Sequence, residues 1–223
     1  MGEAIGQAIP FAVGVAISPI GIVAVTMMLS TDRGGSNGTG YLLGWFAGLM
    51  IFGGILLLLG RSADASSGGQ PAEWTSYAKI VFGLMLLVVA YRQRGKKEGG
   101  SSNEQGWMDR IDSYDAPRSA VLGLGLGAIN PKNLVLTLGA AAGIAQTGAP
   151  ASDQAIALSV YAIIGSIGTS VPVGIYFLMG ERATDLLERL KDSMARNNGV
   201  IMAVICVVIA AKLIGDGIST LSA

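Results

Sequence analysis

The chain has 223 residues, 51% hydrophobic and only 13% charged, with no histidine and a formal net charge of zero. Soluble domains carry about a quarter charged residues, so the composition excludes an ordinary water-soluble globule and points to a bilayer. It also removes the commonest metal ligand and general base and offers no basic tail for nucleic acid.

The first apolar stretch, residues 4–29, has no Lys or Arg ahead of it, only Glu3. A cleavable signal needs a positive start and a shorter apolar core, so this stretch reads as a retained membrane helix. Residues 31–38 form a short Gly-rich loop, and 39–60 a second span. A Ser/Gly-rich segment, 61–73, leads to the third and shortest span, 75–91. Residues 92–118 are the longest and most charged loop. Within it Trp107, Ile111 and Tyr114, at i, i+4 and i+7, fit either an interfacial amphipathic helix or a solvated connector. Spans four and five, 119–147 and 154–180, are joined by a tight turn at 148–153. Residues 181–198 alternate charges with Leu186, Leu187 and Leu190, the pattern of a short helix lying at the interface. Residues 199–218 complete six spans, each near the roughly 20 apolar residues a crossing needs.

The loops are asymmetric in charge. Arg33 lies in the first, Arg92, Arg94, Lys96, Lys97, Arg110 and Arg118 in the third, and Arg182, Arg189, Lys191 and Arg196 in the fifth. The opposite side has only Arg61 and Lys79. The positive-inside rule places the basic loops in the cytoplasm and both termini outside, as expected of a plasma-membrane protein. Trp74, Tyr77 and Tyr91 stand where aromatic belts form.

Ala16-Ile17-Ser18-Pro19 in the first span matches Ala128-Ile129-Asn130-Pro131 in the fourth, an offset of 112 residues (19 to 131). A unit of three spans has an odd number of crossings, so its second copy enters from the opposite face. The expected fold is therefore an all-α integral membrane bundle of six transmembrane helices in two inverted three-helix repeats. Residues 1–91 form the first repeat, 92–118 a cytoplasmic linker and 119–223 the second repeat, with helices 1 and 4 broken.

Proline breaks a helix interior, and here each proline follows a residue suited to cap a new helix, Ser18 or Asn130. Each span thus reads as a helix that stops and restarts inside the membrane. The first amides of a restarted half-helix lack intrahelical partners and carry partial positive charge, which suits an anion. Broken helices at matched positions mark binding sites in transporters. Lys132 falls near the middle of the fourth span, where a charge costs at least about 3 kcal/mol and no mid-span Asp or Glu offers a counter-ion. With Asn133 and the half-helix amides it could bind a phosphate, sulfate or carboxylate. Two other readings make it a proton-coupling group or a donor to carbonyls freed at the break. Ser18, Pro19, Asn130, Pro131, Lys132 and Asn133 are thus the candidate binding residues.

Lys212 and Asp216 read as an i, i+4 interfacial pair. Gly40, Gly44 and Gly48, with Gly123/Gly127 and Gly139/Gly143, read as close-packing faces. Cys206 reads as an inert core residue. No catalytic residue, metal or cofactor is expected.

With those residues in hand, the chain resembles the lysine-exporter (LysE) superfamily, in which the first helix of each half carries a proline motif. Ala16-Ile17-Ser18-Pro19-Ile20, Asn130-Pro131-Lys132-Asn133-Leu134 and the glycine-rich basic middle loop resemble its actinobacterial GAP family of peptidoglycolipid- or sulfolipid-addressing proteins. The resemblance implies lipid transport: export or flipping of an anionic cell-envelope glycolipid, or its precursor, across the plasma membrane. Ile20 stands where Lys132 stands in the second motif, so an anion site would be asymmetric. The implied partners are the bilayer and the lipid, with a homodimer left open. A small-solute exporter, such as one for amino acids, and a non-transporting envelope assembly factor are the competing readings. Thiol-redox chemistry needs two exchanging cysteines and finds one. Cation export would want mid-membrane acids or histidines.

Overall fold

The computed structural model of the chain describes residues 1–66, 73–93 and 114–221. Eight α-helices and one short 3-10 turn make up these segments, with no strand among the described residues. In chain order they are α1 (Gly2–Ala16), α2 (Pro19–Leu29), α3 (Gly34–Ser66), α4 (Glu73–Gln93), α5 (Ala116–Ala128), α6 (Pro131–Gln146), α7 (Ala151–Met179) and α8 (Ala183–Leu221), with the 3-10 turn at Gly180–Arg182.

Three stretches, Gly34–Leu59, Ala151–Met179 and Ala183–Ser219, are long and apolar enough to cross a membrane. Two helix pairs pass the same test only when taken together: α1 with α2, bent by 54°, and α5 with α6, bent by 61°. Counting each bent pair as one span gives five. The third expected span is helical, but its apolar stretch is the shorter Ile80–Arg92. Exposed Leu43, Leu58, Val121, Ile163, Phe177 and Leu178 would be a liability in water and suit the lipid-facing sides of a multi-pass membrane protein.

Glycine lets the helices approach closely. α3 runs against α5 with Gly40, Gly44 and Gly48 on the backbone of Ala116, Ala120 and Leu124, while Gly123 and Gly127 of α5 meet the backbone of Tyr41 and Trp45. A Cβ at Gly44 would stand 1.9 Å from the Ala120 carbonyl oxygen. α1 packs on α6 and α7, where Gly139 receives the Phe11 ring and Gly168 abuts the Ala16 carbonyl oxygen. α4 packs on α8 through Gly83 and Gly217. The small-residue faces read from the sequence are thus packing surfaces. Apolar burial centres on Phe11, Val15, Met28, Tyr41, Trp45, Leu49, Leu136 and Tyr161.

Several boundaries differ from the sequence reading. The loop expected over 31–38 is already helical from Gly34. Within it Asn37 is buried and donates to Thr31 Oγ1 and the Tyr114 carbonyl. The segment 181–198 is not a separate interfacial helix but the first half of the 39-residue α8. Its Leu, Arg, Lys, Glu, Ala and Met residues favour helix, no proline interrupts it, and Gly199 alone does not stop it. The amphipathic segment at Trp107 and Ile111 lies outside the described residues.

Candidate functional site

The chain is interrupted at both proline motifs, but the two breaks are finished differently. At the second, Asn130 caps α6 as expected: its side chain accepts a bond from the Lys132 amide at 3.1 Å. Pro131 follows as the first helical residue, where its missing N–H costs nothing. At the first, Ser18 has extended backbone geometry (φ −111°, ψ 98°) and makes no capping bond. The expected Ser18 cap is therefore corrected. The serine hydroxyl is buried and, among the described residues, has no hydrogen-bond partner. The first amides of α2 have no intrahelical acceptors, and the Ser18 side chain does not cap them.

Each break also leaves carbonyls behind. Pro19 has no N–H to give, and the chain at Ile17 (φ −85°, ψ 68°) has left the helical path. The carbonyls at the end of α1 therefore need other donors. Lys132 supplies them from the other break. Its ammonium donates to the Gly14 carbonyl at 2.9 Å and to the Ile17 carbonyl at 3.0 Å. A cation at a helix C-terminus also meets the negative end of the helix dipole. At the second break Asn133 does the equivalent work, its Nδ2 donating to the Leu126 carbonyl near the end of α5 at 3.0 Å. The first turn of α6 thus furnishes the donors for the carbonyl ends of both α1 and α5.

Of the three readings of Lys132, the geometry realises the donor to freed carbonyls. The carbonyls are those of the opposite break, which joins the two. The corresponding positions after Pro19 are Ile20 and Gly21, which offer no side-chain donor. Gly21 instead lies under the ring of Trp45, whose indole N–H reaches the Gly165 carbonyl at 3.4 Å.

Lys132, Asn133, Ser18 and Pro19 are all buried. Among the described residues no ion pair involves Lys132. Among the described residues Asn133 Oδ1, like Ser18 Oγ, is buried without a partner. One turn along α6, Thr137 bonds the Asn133 carbonyl and shares a 2.8 Å bond with the Tyr161 hydroxyl of α7. Cys206 of α8 lies within electrostatic reach of the lysine. The locus is therefore a buried polar knot of one cation, two main-chain carbonyls, two unsatisfied side-chain oxygens and the uncapped start of α2.

The expected Lys212–Asp216 pair is formed. Lys212 also donates to Gln7 Oε1 at 3.2 Å and lies 5.4 Å from the centre of the Phe11 ring. Gln7, a polar residue inside the first apolar stretch, carried a signal that could have marked it. Nothing in the sequence marks Gly14, Ile17 or Cys206 as neighbours of Lys132, since the relation is made by folding alone.

The family model SfLAP (Sap, sulfolipid-1-addressing protein) matches residues 9–219, nearly the whole chain. No curated protein and no solved structure matches it.

Proposed function

We propose that this chain, which belongs to the Sap, sulfolipid-1-addressing protein family, is a multi-pass carrier that moves an anionic envelope glycolipid across the plasma membrane. One observation carries the reading. Lys132 reaches from the second break to the first, so two mid-chain interruptions become one buried polar locus inside an apolar bundle. Irregular backbone within a bilayer persists only where protein or a cavity surrounds it, and in transporters it marks the binding site.

An inverted repeat of six spans accounts for the arrangement. α2 and α6 begin at Pro19 and Pro131, and α1 and α5 precede them. The pairing of α3 with α5 has its counterpart in that of α7 with α1. Asp and Glu are absent from the locus, while an ammonium, a serine hydroxyl and open amides are present. That set of donors favours a sulfate or phosphate headgroup. The headgroup would sit at the uncapped start of α2, between Ser18 and Lys132, with the acyl chains in the bilayer.

The test is reconstitution in vesicles with a fluorescent sulfated galactolipid as probe and a membrane-impermeant quencher. Wild-type protein is expected to move the probe between leaflets at least tenfold faster than empty vesicles, and Lys132→Ala protein at the empty-vesicle rate. Equal rates for wild type and Lys132→Ala would remove the proposed site. Movement of free sulfate or an amino acid in place of the lipid would favour a small-solute exporter.

A further inference from the structure

Lys132 is held in an unusual way for a buried charge. Such charges normally pair with an opposite charge, yet two main-chain carbonyls and the end of a helix dipole hold this one. We infer that the carbonyl end of α1 is a cation cradle whose built-in occupant is the Lys132 ammonium, and that loss of one proton from this ammonium releases the two breaks from each other. The inference rests on the carrier reading for its purpose, since it supplies the coupling ion, but its geometry stands alone.

The cradle consists of the Gly14 and Ile17 carbonyl oxygens; the residues next in sequence to Ile17 and Lys132, Ser18 and Asn133, each hold a buried oxygen without a partner among the described residues. Oxygen-rich ends of interrupted helices are where transporters hold monovalent cations. Here the cation is tethered, so it cannot leave; only its proton can. On deprotonation the nitrogen becomes a neutral amine, and the proton passes to water admitted at the break. No other reactant is needed. Charge attraction to the α1 terminus is lost, while the anion-attracting charge beside α2 disappears in the same step. Proton and cargo are thus exchanged at one place.

The neighbours leave this proton to Lys132. Cys206 on α8 lies within electrostatic reach of it. From α7 comes Tyr161, its hydroxyl engaged by Thr137, while the buried Tyr41 of α3 lies against α5 at Gly123 and stacks on Trp45. The acid of α1, Glu3, is exposed near the helix start, and Arg118 of α5 is exposed at that helix's first turn. Asp153 pairs with the Met1 amino group at the opposite end of α1, while Lys212 and Asp216 pair with each other further along α8.

The single cysteine makes the test direct. Cys206 is the chain's one thiol, so its S–H stretch is a unique infrared reporter of the charge within its electrostatic reach. In the full-length protein in lipid nanodiscs, the band is expected to shift in a one-proton step as pH is raised. The step should vanish in Lys132→Met, which has no charge, and in Lys132→Arg, whose guanidinium stays protonated. A flat band in the wild type, or the same step in Lys132→Arg, would overturn the inference. The vesicle assay separates it from the carrier reading. A titrating band in a protein that moves no lipid probe, with or without a pH gradient, keeps the cradle and removes the carrier. Probe movement with a flat band keeps the carrier and removes the cradle.

Discussion

The ammonium nitrogen of Lys132 lies 2.9 Å from the carbonyl oxygen of Gly14, a residue 118 positions earlier in the chain. Hydrogen bonds to charged groups stabilise by roughly 1.5–3 kcal/mol each, but removing an unpaired buried charge works in the opposite direction. Lys132→Met is therefore expected to change stability by less than about 2 kcal/mol, read as a small shift in the thermal unfolding midpoint. Lipid-probe movement should nevertheless fall at least tenfold. A large loss of stability with transport preserved would show that Lys132 is only a structural pin.

The two caps should differ in cost. Asn130 caps α6 with its side chain, so Asn130→Ala should cost about 1 kcal/mol. Ser18 makes no such bond, so Ser18→Ala should leave the unfolding midpoint within error while slowing probe movement. Equal destabilisation by both would mean that Ser18 caps α2 after all.

The interface between α3 and α5 gives a sharper steric test. Gly44→Ala would drive a methyl group to 1.9 Å from the Ala120 carbonyl oxygen, and overpacking costs typically 1–3 kcal/mol. Gly125, on the same α5 helix, has nothing within 4 Å of the added atom. Gly125→Ala should be neutral or stabilising by up to about 1 kcal/mol from helix propensity. Monodispersity in detergent and the unfolding midpoint check both.

If the two halves are inverted copies, both termini lie on one side, and the basic loops make it the extracytoplasmic side. An alkaline phosphatase fused after residue 223 should be active, and a green fluorescent protein in its place dark. The reverse pattern would contradict an even number of crossings from an external start.

The breaks at Pro19 and Pro131 were legible because proline acts locally: it cannot donate, and it disrupts its own preceding turn. The glycine faces were legible because helical spacing is local too. The partner of Lys132 was not, since nothing near residue 132 encodes the carbonyls of Gly14 and Ile17. Ser18 and Asn130 looked alike as caps, yet only Asn130 bonds a following amide, and the residue type alone does not distinguish them. The continuity of α8 through residues 183–198 was hidden by charge: a polar, helix-favouring segment looks the same whether it lies flat on a membrane or prolongs a crossing rod.

That rod has a mechanical implication. At 39 residues α8 is about 58 Å long, against a hydrocarbon thickness of about 30 Å. Cys206 lies somewhat past the middle, so the arm reaching back to Ala183 is the longer one. That end is anchored rather than free: Ala183 and Leu187 are buried, and the 3-10 turn ties it directly to α7.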